Sequence, residues 1–325
     1  MYNSMLYGNG LTLAVLSTIK ENFSNEFICY LDCDDFIFEF IYAEPHKRIY
    51  RDFIKYFLIN KETEKVHNEA RKIIKRNYKE ISSYGFERWV SKYLFSSNTD
   101  YKKIKEYAYF LYNYWFYIVS DSIIKKAIPK EIINNLGNNI LKILEDNAKI
   151  FTTNFDTIMD DVLNPSHIHG KFQIPLNGFN DIIAFHINDK EFEYKYLFGA
   201  NGFEKMYRLN RINNNGKTNY EIDFFYEDTL DLGSLLIYGL SFRRTEFISE
   251  EFLALYPEHR TNKLVNTVDG HILYKLSIKY DEKKLKKITI AYFSNLDKDN
   301  YQDLFKNTNL ENIVEYKYCE ELINF

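Results

Sequence analysis

Apolar residues gather into short unbroken runs near the two ends of the chain and into helix-period patterns in its middle. Near the start, an apolar run enters Gly8-Asn9-Gly10, and an apolar-periodic segment leaves it toward Lys20. This spacing predicts strand, glycine turn and helix. Phe27 to Leu31 reads as a second short strand, with Asp32, Asp34 and Asp35 behind it. From His46 to Asn147 the pattern changes. Lys47–Ile59, Thr63–Ile81, Tyr84–Phe95, Tyr101–Lys126 and Lys130–Asn147 all carry helical period, and Pro129 stands where a first-turn proline belongs. The apolar run Ile150 to Thr153 then meets the polar elbow Asn154-Phe155-Asp156. A short helix follows, with Asp156 as its expected cap, and then a short strand ending in His167-Ile168-His169-Gly170.

Beyond Gly170 the pattern is richer in strands. Asp181–Ile187, Ser234–Tyr238, Ile272–Ile278 and Lys287–Phe293 are predicted strands, and Asn210–Asn219 is a loop. An amphipathic helix is predicted over Thr245–Tyr256, a terminal helix near Tyr301–Lys306 and a last strand near Ile313–Tyr316. Strands alternating with helices predict an α/β fold: a doubly wound, mainly parallel, Rossmann-like sheet. The expected organisation is a single domain over residues 1–325, with a large all-helical insertion at 46–147.

Composition narrows the classes. The chain has 325 residues, 46% of them apolar, enough for a sizeable core. Net charge is −4, without an arginine-rich block, and Lys283–Lys287 is a short solvated run, so direct nucleic-acid binding is not expected. The three cysteines Cys29, Cys33 and Cys319 include no C-x-x-C, so no metal is expected. No basic-then-apolar leader or long apolar span stands out, which places the expected location in the cytoplasm, away from membranes.

Chemistry concentrates where strands end. Gly8-Asn9-Gly10-x-Thr12 can let a phosphate approach the backbone, although Leu13 replaces the third glycine of the dinucleotide fingerprint, and a plain turn is the alternative. Asp32, Asp34 and Asp35 can meet a ribose or form a solvated loop. Asn154 sits at the carboxyl end of a strand, where open α/β sheets bind ligands. Gly239 and Ser241 end another strand.

In this order, Gly8-Asn9-Gly10-x-Thr12, Thr153-Asn154-Phe155-Asp156, His169-Gly170 and Gly239-x-Ser241 resemble the G-A-G-x-S, T-Q-N-I-D, H-G and G-T-S motifs of the sirtuin (SIR2-like) family. The His-Ile-His-Gly form and the Phe86-Glu87 pair are similar to bacterial SIR2-like proteins of phage defence. The resemblance covers residues 1–35 and 148–295 and leaves out the helical insertion. It implies NAD as substrate, with Gly8, Asn9, Gly10, Thr12, Asp156, Gly239 and Ser241 on the cofactor side and Asn154 and His169 at the nicotinamide ribose. Asn154 would orient water or a ribose hydroxyl, and His169 would accept a proton. His167 is the reserve for that base, with a core or surface role as the alternative.

The cysteine pairs that hold zinc in sirtuins are missing. The resemblance therefore implies NAD hydrolysis in antiphage defence, by an oligomer or with an activating partner protein. A non-catalytic NAD- or ADP-ribose-binding module and a deacylase or ADP-ribosyl transferase are the other readings.

Overall fold

The computed structural model describes residues 1–19, 72–73, 75–79, 128–154, 156–168, 171–173, 184–187, 190–192, 229–240, 242, 264 and 269–323. In chain order these form β1 (Tyr2–Tyr7), α1 (Asn9–Ile19), α2 (Lys130–Ile143), β2 (Leu144–Thr152), α3 (Asp160–Leu163), β3 (Ser166–His167), β4 (Lys171–Gln173), β5 (Ala184–Ile187) and β6 (Lys190–Phe192). Then come β7 (Gly233–Tyr238), α4 (Gly270–Asp281), β8 (Leu285–Tyr292), α5 (Asn295–Phe305), a 3-10 turn (Glu311–Ile313), β9 (Val314–Tyr318) and α6 (Cys319–Leu322).

Six strands make one sheet in the order β3-β2-β1-β7-β8-β9, and every neighbouring pair is parallel. Numbered by their own succession along the chain, these strands run 3-2-1-4-5-6, the order of a classic doubly wound sheet. The order reverses between β1 and β7. β1 and β7 are buried at every position but one, as central parallel strands covered on both faces must be. The core joins Leu6, Phe151, Leu235, Ile237, Ile288 and Ile290 of the sheet to Ile272, Leu273 and Leu276 of α4 and Tyr301, Leu304 and Phe305 of α5.

Contacts divide the chain into two compact units. One comprises Met1–Thr18, Pro129–Lys171 and Gly199–Phe325; the other comprises Ile19–Ile128 and Phe172–Phe198. The six-stranded sheet belongs to the first. β4, β5 and β6 make a separate three-stranded sheet, with β5 and β6 antiparallel. The strand expected at Asp181–Ile187 is therefore present at Ala184–Ile187, outside the parallel sheet. Of the helical insertion expected at 46–147, most lies outside the described residues, as do the strand at Phe27–Leu31, the acidic residues behind it and the helix at Thr245–Tyr256.

Two elements differ from the sequence reading. Ile272–Ile278, expected as a strand, lies within helix α4. Its alternation of Ile272, Tyr274, Leu276 and Ile278 suggests period two. The buried set, however, is Ile272, Leu273, Leu276 and Lys279, which follows helical spacing. Lys130–Asn147, expected as one helix, ends at Ile143, and the strand begins at Leu144. The polar stretch Glu145–Lys149 hid that start, because β2 is largely exposed between Leu144 and its last two residues, which are the parts that enter the core.

α5 begins with an N-cap: Ser294 Oγ accepts a hydrogen bond from the Asp297 backbone N–H at 3.1 Å. Ser294→Ala is expected to cost about 1 kcal/mol. Chemical denaturation checks this, and an unchanged midpoint would mean that packing alone holds the helix.

Candidate functional site

The carboxyl ends of β1, β2, β3 and β7 lie side by side across the reversal of strand order. Hydrogen bonds extend the ladder past the strands: Thr153 N–H donates to Tyr7 O at 3.1 Å, and Ile168 N–H donates to Thr152 O at 2.8 Å. The residues after each strand are thereby brought to one edge.

The glycines meet there, for a steric reason. Gly8 N–H donates to Tyr238 O at 3.0 Å, and Gly10 N–H donates to Gly239 O at 2.9 Å. A Cβ on Gly10 would lie 2.5 Å from Gly239 Cα, and one on Gly8 would lie 2.7 Å from Gly239 O. Gly239 also has φ +62°, a conformation that favours glycine. These glycines let two backbone segments touch. Because Leu11 N–H donates to Gly8 O at 3.0 Å, three N–H groups of this turn are spent on the protein itself. Asn9 opens α1 beside them.

Thr12, one turn into α1, meets the elbow after β2. Its hydroxyl donates to Asp156 Oδ2 at 2.9 Å and accepts from Asn154 Nδ2 at 2.9 Å. A carboxylate can only accept, so the Thr12 proton points at Asp156, and its oxygen can then only accept from Asn154. This sets which way the Asn154 amide faces. Residues 142 and 144 positions apart in the chain thus form one short relay.

The backbone of Asn154 is held as well. Its N–H donates to Thr152 Oγ1 at 3.0 Å, and its carbonyl lies 2.8 Å from His167 Nδ1. His167 Nε2 in turn lies 3.0 Å from Asp160 Oδ1. Side chain and main chain of one asparagine are each tied through an intermediary to a carboxylate. The amide oxygen Oδ1 receives no hydrogen bond from any described residue, and Asn154 as a whole keeps 7% exposure.

Asp156 does not cap α3 as expected. Its Oδ1 accepts from Ile158 N–H two residues on, at 3.1 Å, an Asx turn, while α3 starts only at Asp160 behind Met159. Burial pushes the Asp156 carboxyl above its ordinary range. The Ile158 N–H, Thr12 and His167 oppose that shift, and Asp160 adds to it. Beneath the elbow, the Tyr7 phenol is held well above its usual value by burial and by the Asp156 and Asp160 carboxylates, so it stays neutral; Thr152 opposes the shift.

Among the candidates, then, Thr12, Asn154 and Asp156 come into direct contact, and so do Gly8, Gly10 and Gly239. His169, Gly170 and Ser241 lie outside the described residues. Sequence reasoning missed Asp160, Thr152 and Tyr7. Each reads as an ordinary helix-start or strand residue, and only the folded pairing across the turn at Asn164 gives Asp160 its partner. Among the described residues, no group of acidic, histidine and cysteine side chains could hold a metal ion, and no helix is long and apolar enough to cross a membrane. Comparison with protein-family models, with curated proteins and with solved structures gave no match.

Proposed function

We propose that the chain is an NAD+ glycohydrolase of SIR2-like type that cleaves the bond between nicotinamide and ribose and depletes NAD in antiphage defence. The observation that carries this reading is the pinned amide of Asn154 at the carboxyl edge of a doubly wound sheet, one strand from the reversal of strand order near which such folds place nucleotides.

The chemistry suits that arrangement. As the glycosidic bond breaks, positive charge builds on the ribose, and nicotinamide leaves neutral without needing a proton. A neutral side chain that accepts a hydrogen bond can orient water or a ribose hydroxyl without trapping the cation. Asn154 Oδ1 is such an acceptor, held by groups that are themselves fixed. His169 is the proposed base that takes the proton from the oriented oxygen. The contact between Gly10 and Gly239 locks the two backbone segments together at the same edge, beside which the dinucleotide would pass. Asp156 acts here through Thr12, and Ser241 is the remaining residue proposed for the nucleotide.

The test is NAD consumption by the purified full-length chain, with nicotinamide and ADP-ribose resolved as products, beside His169→Ala. The expected result is equimolar nicotinamide and ADP-ribose from the unaltered protein and almost none from the variant. An unaltered protein that binds NAD but releases no nicotinamide, even with candidate activators from infected cells, would sink hydrolysis and leave the non-catalytic binding module standing.

A further inference from the structure

Resting on the reading that Asn154 orients the reacting oxygen, we infer that His167 is a positioning residue that holds the main chain of Asn154 and accepts no proton from substrate. Its imidazole is engaged at both nitrogens. Nδ1 lies 2.8 Å from the Asn154 carbonyl oxygen, and Nε2 lies 3.0 Å from Asp160 Oδ1. A carbonyl has no proton to give, so Nδ1 carries the hydrogen of the first contact. A ring protonated there and nowhere else would turn a bare lone pair toward the carboxylate. The second contact therefore needs a proton between Nε2 and Asp160. Whichever of the two groups holds that proton, the Nε2 lone pair is committed. A general base needs a free lone pair within reach of the proton it takes. His167 has none to offer, and its side chain is only 5% exposed.

The placement of the ring follows from the sheet. His167 pairs in register with Thr152, two residues before Asn154, so β3 sets the imidazole beside the elbow. Asp160 reaches it from the first turn of α3 at the other side of the same elbow. The distance from Asn154 Cα to its side-chain oxygen multiplies any main-chain rotation. A displacement of about 1 Å in an orienting group costs on the order of 10²-fold in rate. Thr12 fixes the amide plane, and His167 fixes the backbone that carries it. Without the second hold, the first would swing.

Two substitutions separate this role from a base and from a mere filler. An asparagine amide nitrogen falls close to where Nδ1 stood, and a glutamine amide nitrogen falls close to Nε2. His167→Asn keeps the donor to the Asn154 carbonyl and gives up Asp160; His167→Gln does the reverse. Amide hydrogen exchange in peptides covering Thr153 and Asn154, in the full chain, reads the hold through their N–H groups, which stay on Tyr7 O and Thr152 Oγ1 only while the elbow is fixed. His167→Asn is expected to exchange there as the unaltered protein does, and His167→Gln about tenfold faster, the equivalent of one lost hydrogen bond. NAD turnover should follow the same order, with the loss in kcat rather than KM.

Equal loss of turnover in both variants with unchanged exchange would make His167 the base and overturn the inference. Unchanged exchange in His167→Gln would overturn it as well. If the unaltered chain releases no nicotinamide, the proposed function fails by itself, and the order of exchange in the two variants still decides whether His167 holds Asn154.

Discussion

Asp156→Asn is expected to lower NAD turnover by about 10²-fold while leaving the fold nearly as stable as before, a loss comparable to removing one oriented transition-state contact. The reason is the direction of the relay. Ile158 N–H can only donate, so the oxygen of the new amide must stay on it, as Asp156 Oδ1 does now at 3.1 Å. The new NH2 group then faces Thr12 and donates to it. The Thr12 hydroxyl, now an acceptor on that side, has its proton free to give to Asn154 and so draws the amide oxygen inward. Asn154 would turn its NH2 outward, where an acceptor is wanted. Every hydrogen bond is kept, and the polarity at the site is reversed. Asn154→Ala, which deletes the group outright, should cost more, about 10³-fold. Thr12→Ser keeps the relay and should stay close to the unaltered rate. Full turnover by Asp156→Asn would show that the orientation of this amide does not matter.

The same substitution carries a pH signature. The Asp156 carboxyl is raised in the folded chain, chiefly by burial. A raised acid binds its proton more tightly folded than unfolded. Its contribution is full below the ordinary carboxylate range and is lost as pH rises through the raised value. Asp156→Asn has no such loss. Its stability relative to the unaltered chain should therefore climb as pH rises out of the acid range. A denaturation series across that interval gives the sign directly, and a constant difference would mean that burial of this carboxyl has no cost.

The largest loss of stability is expected from Gly239→Ala, about 3 kcal/mol, from a left-handed backbone and an overpacked contact together. Gly239 has φ +62°, and its Cβ would lie 2.7 Å from Gly10 Cα and 2.7 Å from Leu11 N. Both are backbone atoms inside the first turn of α1, and neither can turn aside. Gly233→Ala is the control. Its φ is +54°, but its Cβ would meet the end of the Asn3 side chain, at 2.5 Å from Oδ1. Asn3 can rotate away at the cost of its bond from Ser234 N–H and of the exposed one it donates to Glu145, so a smaller loss, about 1–2 kcal/mol, is expected there. The difference between the two measures the backbone contact between the β1 and β7 exits. If chemical denaturation finds the two variants equal, that contact does not constrain the fold.

What could be read from the chain alone followed from local periodicity. The apolar runs Met5–Tyr7 and Leu235–Tyr238 are buried on both faces of central strands, so their sequence needs no knowledge of neighbours to be recognised. The class of fold, the strand–glycine–helix unit at the start and the elbow at Asn154 were legible for that reason. Where local pattern and tertiary burial disagree, it misled. Ile272–Ile278 alternates like a strand, yet it packs one helical face on the sheet. Glu145–Lys149 is polar like a helix surface, yet it lies within β2, where the register to β1 shifts between Leu144 and Lys149 and most of the stretch is exposed.

The site divides in the same way. Thr12, Asn154 and Asp156 stand out because each follows a strand with a polar side chain. That they touch depends on parallel strands delivering their carboxyl ends to one edge, which no spacing along the chain encodes. The glycines were legible as glycines, but their reason was not. Nothing near Gly10 in sequence announces that Gly239 will lie against it. Likewise the ties of His167 to Asn154 and Asp160 exist only once β3 is in register with β2. Sequence by itself determined the elements and the residue types at their ends, because those follow from periodicity and backbone freedom. Tertiary structure alone decided which ends meet and which way each hydrogen bond runs, because those depend on strand order and on donors and acceptors far apart in the chain.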